Sequence, residues 1–400
     1  MVKGLSTKTM GIQPSRTLAI VAKEKKMKAA GIDVISFGAG EPDFKTPENI
    51  RQAAIHIIEN GNIGYTDASG LPELKEAICR KFEKDNNLFY TPKNIVVSNG
   101  AKHSLFSALQ AICNPGDEVI IPQPYWVSYP ELIKMADAKP VLLDTEEDHG
   151  FVYTKEGLEK LINEKTKAII LNSPNNPTGS VFNEEDLNVI AQVAIENNIY
   201  VISDEIYEKL VYNRKHISIA SLGDDIKNLT IVVNGVSKCY AMTGWRIGYA
   251  AANEEITKVM TNIQSHATSN PNTIAQYAAI EALTGKQDTM LKMIKAFDAR
   301  RRYMADRINK IENISCKEPE GAFYIMLNIS NLIGKRINES LINGSMDFAD
   351  YLLESVNVAV VPGIAFGNDN YVRLSYATSL EKIKEGLNRI ENAVKRINPS

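Results

Sequence analysis

A lysine framed by small residues is the side chain best suited to chemistry in this chain of 400 residues. Lys238 stands in Gly235-Val-Ser237-Lys238-Cys-Tyr-Ala-Met-Thr-Gly244-Trp-Arg246-Ile-Gly248, directly after the apolar run 230–234. Burying its charge is costly. A lysine at the end of a buried strand can instead be kept deprotonated and react with an aldehyde as a neutral amine. Arg246 follows in a second small-residue setting and suits an anion. A surface lysine and a structural ion-pair arginine would use the same residue types.

Four further motifs lie at the ends of apolar runs. Ser98-Asn-Gly100-Ala101-Lys102-His103 precedes a helical pattern of Leu105, Ala108 and Leu109. Free backbone N–H groups at such a helix start can cradle a phosphate, although an ordinary strand-to-helix turn also favours glycine. Asn172-Ser-Pro174-Asn175-Asn176-Pro177-Thr178-Gly179 has turn residues that fix the backbone and asparagine amides free to face a ligand. In Ser203-Asp204-Glu205-Ile-Tyr207, the aspartate can hold a pyridinium N–H by a charge-assisted bond and the tyrosine can donate to a phenolate. A helix N-cap aspartate is the plainer alternative. In Tyr371-Val-Arg373-Leu-Ser-Tyr376, strand alternation separates Arg373 from Val372 and Leu374. Its guanidinium could clamp a carboxylate through two parallel hydrogen bonds, or simply face solvent.

The elements that must position these residues are short β-branched runs alternating with helical patterns. The runs 95–98, 118–121, 168–171, 200–203 and 230–233 predict buried strands; 104–112 and 184–196 predict helices. This rhythm implies an α/β fold with a mostly parallel sheet flanked by helices. Ligands of such sheets collect at the carboxyl ends of the strands. From about Gln287 the pattern changes. Leu291, Ile294, Phe297, Met304, Ile308 and Ile311 predict a long amphipathic helix leading into a second domain.

Composition narrows the function classes. The length exceeds one ordinary core, so a large domain with a smaller one is expected. A net charge of -3 argues against a nucleic-acid or membrane-surface partner. No apolar run reaches the ~18 residues of a membrane span. The start, Met1-Val-Lys-Gly-Leu-Ser-Thr-Lys, shows no apolar core of signal-peptide length. Cys79, Cys113, Cys239 and Cys316 lie far apart, which suits reduced thiols in a cytoplasmic protein. Neither they nor the five histidines have metal-site spacing, so no metal is expected.

Taken together, the motifs resemble the class I pyridoxal-phosphate aminotransferases of fold type I. The likeness is strongest to bacterial aspartate aminotransferases of the one-beta subgroup. It spans nearly the whole chain and includes Gly38-Ala-Gly40-Glu-Pro-Asp-Phe, Pro124-Tyr125-Trp126, Asn-Asn-Pro-Thr-Gly, Ser-Asp-Glu-Ile-Tyr and Ser-Lys. The resemblance implies a large domain over 46–290. It also implies a smaller α+β domain built from 1–45 with 291–400. Pyridoxal 5'-phosphate is the implied cofactor. Lys238 would hold it covalently and move the substrate proton. Asp204 would keep its ring nitrogen protonated, Tyr207 and Asn176 would bond its 3-oxygen, and Trp126 would stack on its ring. Gly100, Ala101, Lys102, Ser237 and Arg246 would surround its phosphate. Tyr65 would reach the phosphate in the partner subunit of a homodimer. Arg373 would take the substrate α-carboxylate, with Gly40, Trp126 and Asn176 close by.

The implied reaction is transfer of the amino group from L-aspartate to 2-oxoglutarate. The distal carboxylate is less legible. No arginine occurs between Arg246 and Arg300, which removes the device of one related subgroup. Lys102, with Ser15 or Thr17, is the candidate, and Lys102 could equally serve the phosphate alone. Gln13 stands before Pro14-Ser15, where relatives that accept prephenate often carry a basic residue. Aromatic, alanine, kynurenine or prephenate/arogenate specificity and β-C–S lyase chemistry remain alternatives. A transcription regulator carrying the same domain is the rival of another class. It would need an N-terminal DNA-binding segment, whereas here the aminotransferase pattern starts near residue 11.

Overall fold

The computed structural model describes residues 4, 6, 10–12, 16–337 and 340–397, without the side chains of 16–21 and 340. After the helix Arg16–Ala29, a short strand β1 (Ile35–Ser36) precedes the main sheet. That sheet comprises β2 (Ile95–Ser98), β3 (Glu118–Gln123), β4 (Lys139–Asp144), β5 (Thr166–Asn172), β6 (Tyr200–Asp204), β7 (Thr230–Gly235) and β8 (Gly248–Ala251). Its order is β2-β8-β7-β6-β5-β3-β4. Neighbours from β7 to β4 run parallel, whereas β8 is antiparallel to both β2 and β7.

Neighbouring residues on these strands turn to opposite sides, and both sides are covered. Ile121, Ile170 and Ile202 pack with Leu105 and Ala108 of the helix Ala101–Ile112. Ile120, Ile169 and Val201 pack with Leu187 and Ile190 of the helix Glu184–Asn197. Two-sided burial explains why these strands read as continuous apolar runs. All five expected strands are present. β4 and β8 were not anticipated: β4 is an edge strand with exposed Lys139, Leu142 and Asp144, and β8 reads Gly-Tyr-Ala-Ala without a β-branched residue. Gly248 has a packing reason, since a Cβ there would lie 2.1 Å from the Ala101 nitrogen.

The expected long helix is Asp288–Ile308. Its buried face differs from the stripe read from sequence. Leu291 is exposed, and Met290, Met293, Phe297, Arg301, Met304 and Ile308 face inward. Ile311 is buried beyond the helix end. Arg301 breaks the apolar pattern yet is fully buried, because its guanidinium donates to Asp298, Glu318 and the Pro319 carbonyl. Beyond this helix come β9 (Tyr324–Asn328), the hairpin of β10 (Arg336–Ile337) and β11 (Ser340–Leu341), then β12 (Val358–Ala359), β13 (Val361–Pro362) and β14 (Tyr371–Ser375). A second sheet has the antiparallel order β13-β14-β9. β1 pairs in parallel with β12, and Ile35 and Phe37 enter the apolar cluster of this C-terminal part.

Behind β6, Lys81 of the helix Pro72–Asn86 forms a buried ion pair with Glu208. Asn86 joins both: its Oδ1 accepts from Lys81 Nζ at 2.7 Å and its Nδ2 donates to Glu208 Oε2 at 3.1 Å. Burial alone would raise the Glu208 pKa, but the charges of Lys81, His216 and Lys209 outweigh it and hold the group at about 2. A depressed carboxylate contributes stability above its unfolded pKa and loses it as pH falls through the folded value. Lys81→Met leaves a buried carboxylate unpaired and is expected to destabilise the fold at neutral pH by about 3–5 kcal/mol in chemical denaturation. Glu208→Leu added to it should recover most of the loss. Wild-type stability for Lys81→Met alone would reject this account.

Candidate active site

Parallel pairing brings the polar strand ends together. Asn172 and Asp204 end β5 and β6 in register, and the chain beyond β7 turns back through Ser237 and Lys238. A cavity of about 670 Å3 opens there and extends to β9 and β14. Gly40, Ala101, Lys102, Trp126, Asn176, Asp204, Tyr207, Ser237, Lys238, Arg246 and Arg373 all line it, although they come from distant parts of the sequence.

Asp204 is buried at its floor. Its Oδ2 accepts from the Tyr129 hydroxyl at 2.8 Å and its Oδ1 from the Ile206 N–H at 3.3 Å. Burial raises its pKa to about 6 against the pull of both donors. The Tyr207 hydroxyl, also buried, lies 3.0 Å from that of Tyr324. Lys238 Nζ donates to the Gly40 carbonyl at 2.5 Å. Burial lowers the Lys238 pKa to about 8, with Glu41 opposing and the Arg373 and Arg246 charges adding to the fall.

At one end, Gly100 caps the helix Ala101–Ile112 with a φ of 84°. A Cβ there would stand 2.3 Å from Arg246 Nη2, so the glycine lets the guanidinium approach the helix N-terminus. Arg246 donates to the carbonyls of Thr243 and Asn99 and remains exposed. Helix N–H groups beside a guanidinium form an anion site. Lys102 Nζ sits 4.8 Å from the centre of the Trp126 ring, and its pKa is lowered by partial burial and then by Arg246.

At the other end, β14 carries Arg373, which is buried. Its Nη1 donates to Asn176 Oδ1 at 2.9 Å and its Nη2 to the Gly38 carbonyl at 3.2 Å, while Nε has no hydrogen-bond partner. The carbonyl bonded to this guanidinium is therefore Gly38's, whereas that of Gly40 engages Lys238.

The chain of which these residues are part matches the pattern described as aminotransferase class I and II over residues 32–390. It belongs to that family. It is 50% identical over 392 residues to an aspartate aminotransferase of Bacillus sp. (strain YM-2), covering 98% of this chain and 99% of that one. The crystal structure of the aspartate aminotransferase from Rhizobium meliloti superposes with a TM-score of 0.96 at 42% identity, covering 99% of this chain and 100% of the other. That of Thermus thermophilus with maleate superposes with a TM-score of 0.93 at 39% identity, covering 98% and 100%.

Several expected site residues stand apart from the cavity in this aminotransferase. Gly100 lies behind the wall rather than on it. Tyr65 is 92% exposed and does not line the cavity. Ser15 lies outside the described residues, as does the Thr17 side chain on the helix Arg16–Ala29. Sequence reasoning missed Tyr129 and Tyr324, both cavity-lining and buried. Tyr129 follows Pro124-Tyr125-Trp126 closely enough to have been weighed with it. Tyr324 opens β9 and gives no local signal. Glu205, Glu208 and His216 offer ligand atoms within 4.8 Å of one another, a grouping their sequence spacing did not reveal. The carboxylates already have partners: Lys81 pairs with Glu208, and His216 Nε2 and the Ser203 and Ser218 hydroxyls engage Glu205, while His216 Nδ1 has none. No described helix is long and apolar enough to cross a membrane.

A lysine titrating near pH 8 should be modified by a small aldehyde with borohydride well ahead of surface lysines. In cofactor-free protein, peptide mass spectrometry should show the Lys238 rate rising about tenfold between roughly pH 7 and pH 9 and then levelling off. A rate still climbing above about pH 10 would mean an ordinary lysine.

Proposed function

We propose that this chain is an aspartate aminotransferase that uses pyridoxal 5'-phosphate to move the amino group of L-aspartate to 2-oxoglutarate, giving oxaloacetate and L-glutamate. One observation carries the reading. A single cavity holds a lysine whose pKa is lowered to about 8, a buried carboxylate, a helix-terminus anion site and a buried guanidinium with an unpartnered N–H. The donor set fits the cofactor: an amine for its aldehyde, Asp204 for its ring nitrogen, and the start of Ala101–Ile112 with Ser237 and Arg246 for its phosphate. When bound, it supplies an electron-accepting ring conjugated to the substrate nitrogen.

In this reading Lys238 would hold the cofactor through Nζ at its aldehyde carbon. As a free amine, Nζ would take the proton from the substrate Cα and deliver it to C4′. Asp204 would stay ionised by pairing with a protonated ring nitrogen, whose charge offsets the desolvation that raises its pKa. Tyr129 orients that carboxylate. Tyr207 and Asn176 donate to the cofactor's 3-oxygen, and Trp126 covers the ring. Arg373 exchanges neutral acceptors for the substrate α-carboxylate, a stronger charge-assisted partner. Lys102, on the cavity wall, would take the second carboxylate.

We further infer a homodimer in which Tyr65 serves the partner's phosphate. It is exposed, as are Ile55, Ile58 and Ile63 in the same stretch of chain, apolar side chains that a second subunit would cover. A division into 46–290 and 1–45 with 291–400 is supported by the pairing of β1 with β12 and the shared cluster around Phe37 and Phe297.

Stopped-flow absorbance with single amino donors tests the function. Aspartate should change the cofactor spectrum rapidly, and Lys238→Ala should abolish turnover. Tyrosine, alanine or cystathionine outpacing aspartate would replace the assignment with one of its rivals. Lys102→Ala should raise KM for aspartate and 2-oxoglutarate about tenfold or more, the loss of a charged hydrogen bond, while leaving alanine unaffected. Weaker cofactor binding without that split would assign Lys102 to the phosphate. Sedimentation should return a dimer, and a monomer with full activity would remove Tyr65 from the site.

A further inference from the structure

Tyr324 touches two of the groups given separate tasks above. Its hydroxyl meets the Tyr207 hydroxyl at 3.0 Å. Its ring lies against the Arg373 guanidinium, 4.3 Å from centroid to Cζ, and the Phe366 ring also approaches that Cζ, at 4.9 Å. The two tyrosines are also held edge to face, with centroids 5.9 Å apart and planes at 82°. All three residues are buried, so the contacts are not averaged by water.

We propose that Tyr324 is a positioning residue that couples the carboxylate site at Arg373 to the phenol of Tyr207, and through it to the proton affinity of the cofactor-bound lysine nitrogen. The proposal rests on the reading of Tyr207 as the donor to the cofactor's 3-oxygen.

A phenol has one proton. If Tyr207 gives its own to the cofactor, the bond between the hydroxyls must run from Tyr324 to Tyr207. Donors in series strengthen one another, so Tyr324 makes Tyr207 the better donor. An unpaired guanidinium over the Tyr324 ring draws electron density from it and strengthens its O–H as a donor. A carboxylate on Arg373 neutralises that charge. Tyr324 then donates less strongly, Tyr207 follows, and the cofactor oxygen regains electron density. The conjugated nitrogen becomes more basic when substrate is present. A second connection runs through Asn176, whose Oδ1 accepts from Arg373 Nη1. The Tyr324 path is separate from it and uses the ring face.

Titration of the visible cofactor band in holoenzyme measures this directly, with and without saturating maleate as a non-reacting dicarboxylate. Tyr324→Phe keeps the ring and removes the hydroxyl. Its midpoint without maleate should rise by about half a unit to one unit, a modest fraction of known environmental pKa shifts. The rise caused by maleate should fall to about half or less, as expected when one of two cooperative paths is lost. In a double-mutant cycle, Tyr324→Phe should add nothing to Tyr207→Phe. Asn176→Ala should keep part of the maleate effect. An unchanged midpoint and maleate shift in Tyr324→Phe, additive effects in the cycle, or complete loss of the shift in Asn176→Ala would each overturn the coupling. A wild-type band that does not titrate, or one that forms in Lys238→Ala through a covalent bond, would instead overturn the underlying reading of the site, and the coupling with it.

Discussion

Surplus positive charge around one cavity, buried at its floor, is the constraint from which the other features of the site follow. Lys102, Lys238, Arg246 and Arg373 line it, facing Asp204 and the more exposed Glu41. Glu24 also borders it but is already bonded to Lys28 and to the Ser36 hydroxyl. Uncompensated charge in such a place is costly, and a side chain relieves the cost by pairing or by neutralising. Lysine can neutralise; arginine in practice cannot. Lys238 accordingly shifts to about 8, and buried Arg373 retains a charge that a neutral carbonyl and an amide only partly satisfy. A phosphate beside Arg246 and a carboxylate at Arg373 would complete this balance.

The scaffold supplies positions rather than chemistry. Parallel strands with in-register ends set Asn172 beside Asp204 without any contact between their sequences. Strand alternation then sends Asp204 to the cavity and Glu205 away from it, toward Ser203, Ser218 and His216. Glu208, further along the same turn, is held by Lys81 and Asn86. The segment that bears Asp204 and Tyr207 is thus bound from behind by buried polar contacts, which fix side-chain direction better than apolar packing does. Glycine at 100 and 248 allows the helix N-terminus, Arg246 and β8 to converge where any Cβ would intrude.

Legibility from sequence followed how locally each feature is encoded. The five central strands were legible because burial on both faces leaves an uninterrupted β-branched run. β4 and β8 were not, since one is a half-exposed edge and the other is built of small residues that pack closely. The helix Asp288–Ile308 was legible, but its inward face was partly misassigned: Leu291 fits the period and faces solvent, while Arg301 violates it and is buried by three acceptors. Lys238, Asp204 and Asn176 were readable as motif residues at or just beyond strand ends, and Arg373 as the polar residue of an alternating strand. Tyr129 and Tyr324 act through partners about 75 and 117 residues away, separations that no local pattern encodes.

Arg373 is where the parts of the molecule meet. It sits on β14, bonds Asn176 from the turn after β5 and Gly38 from the N-terminal segment, and contacts the rings of Tyr324 and Phe366. Gly38 is itself tied through its N–H to Ser36, whose hydroxyl donates to Glu24 on the helix Arg16–Ala29. Under the proposed reading, an arriving carboxylate would find the Nε–H without a partner and would be a stronger acceptor for this guanidinium than either neutral oxygen. The turn that carries Asn176 and the segment that carries Gly38 and Gly40 thus both reach the residue that would take the carboxylate, and the Gly40 carbonyl on that segment accepts from Lys238.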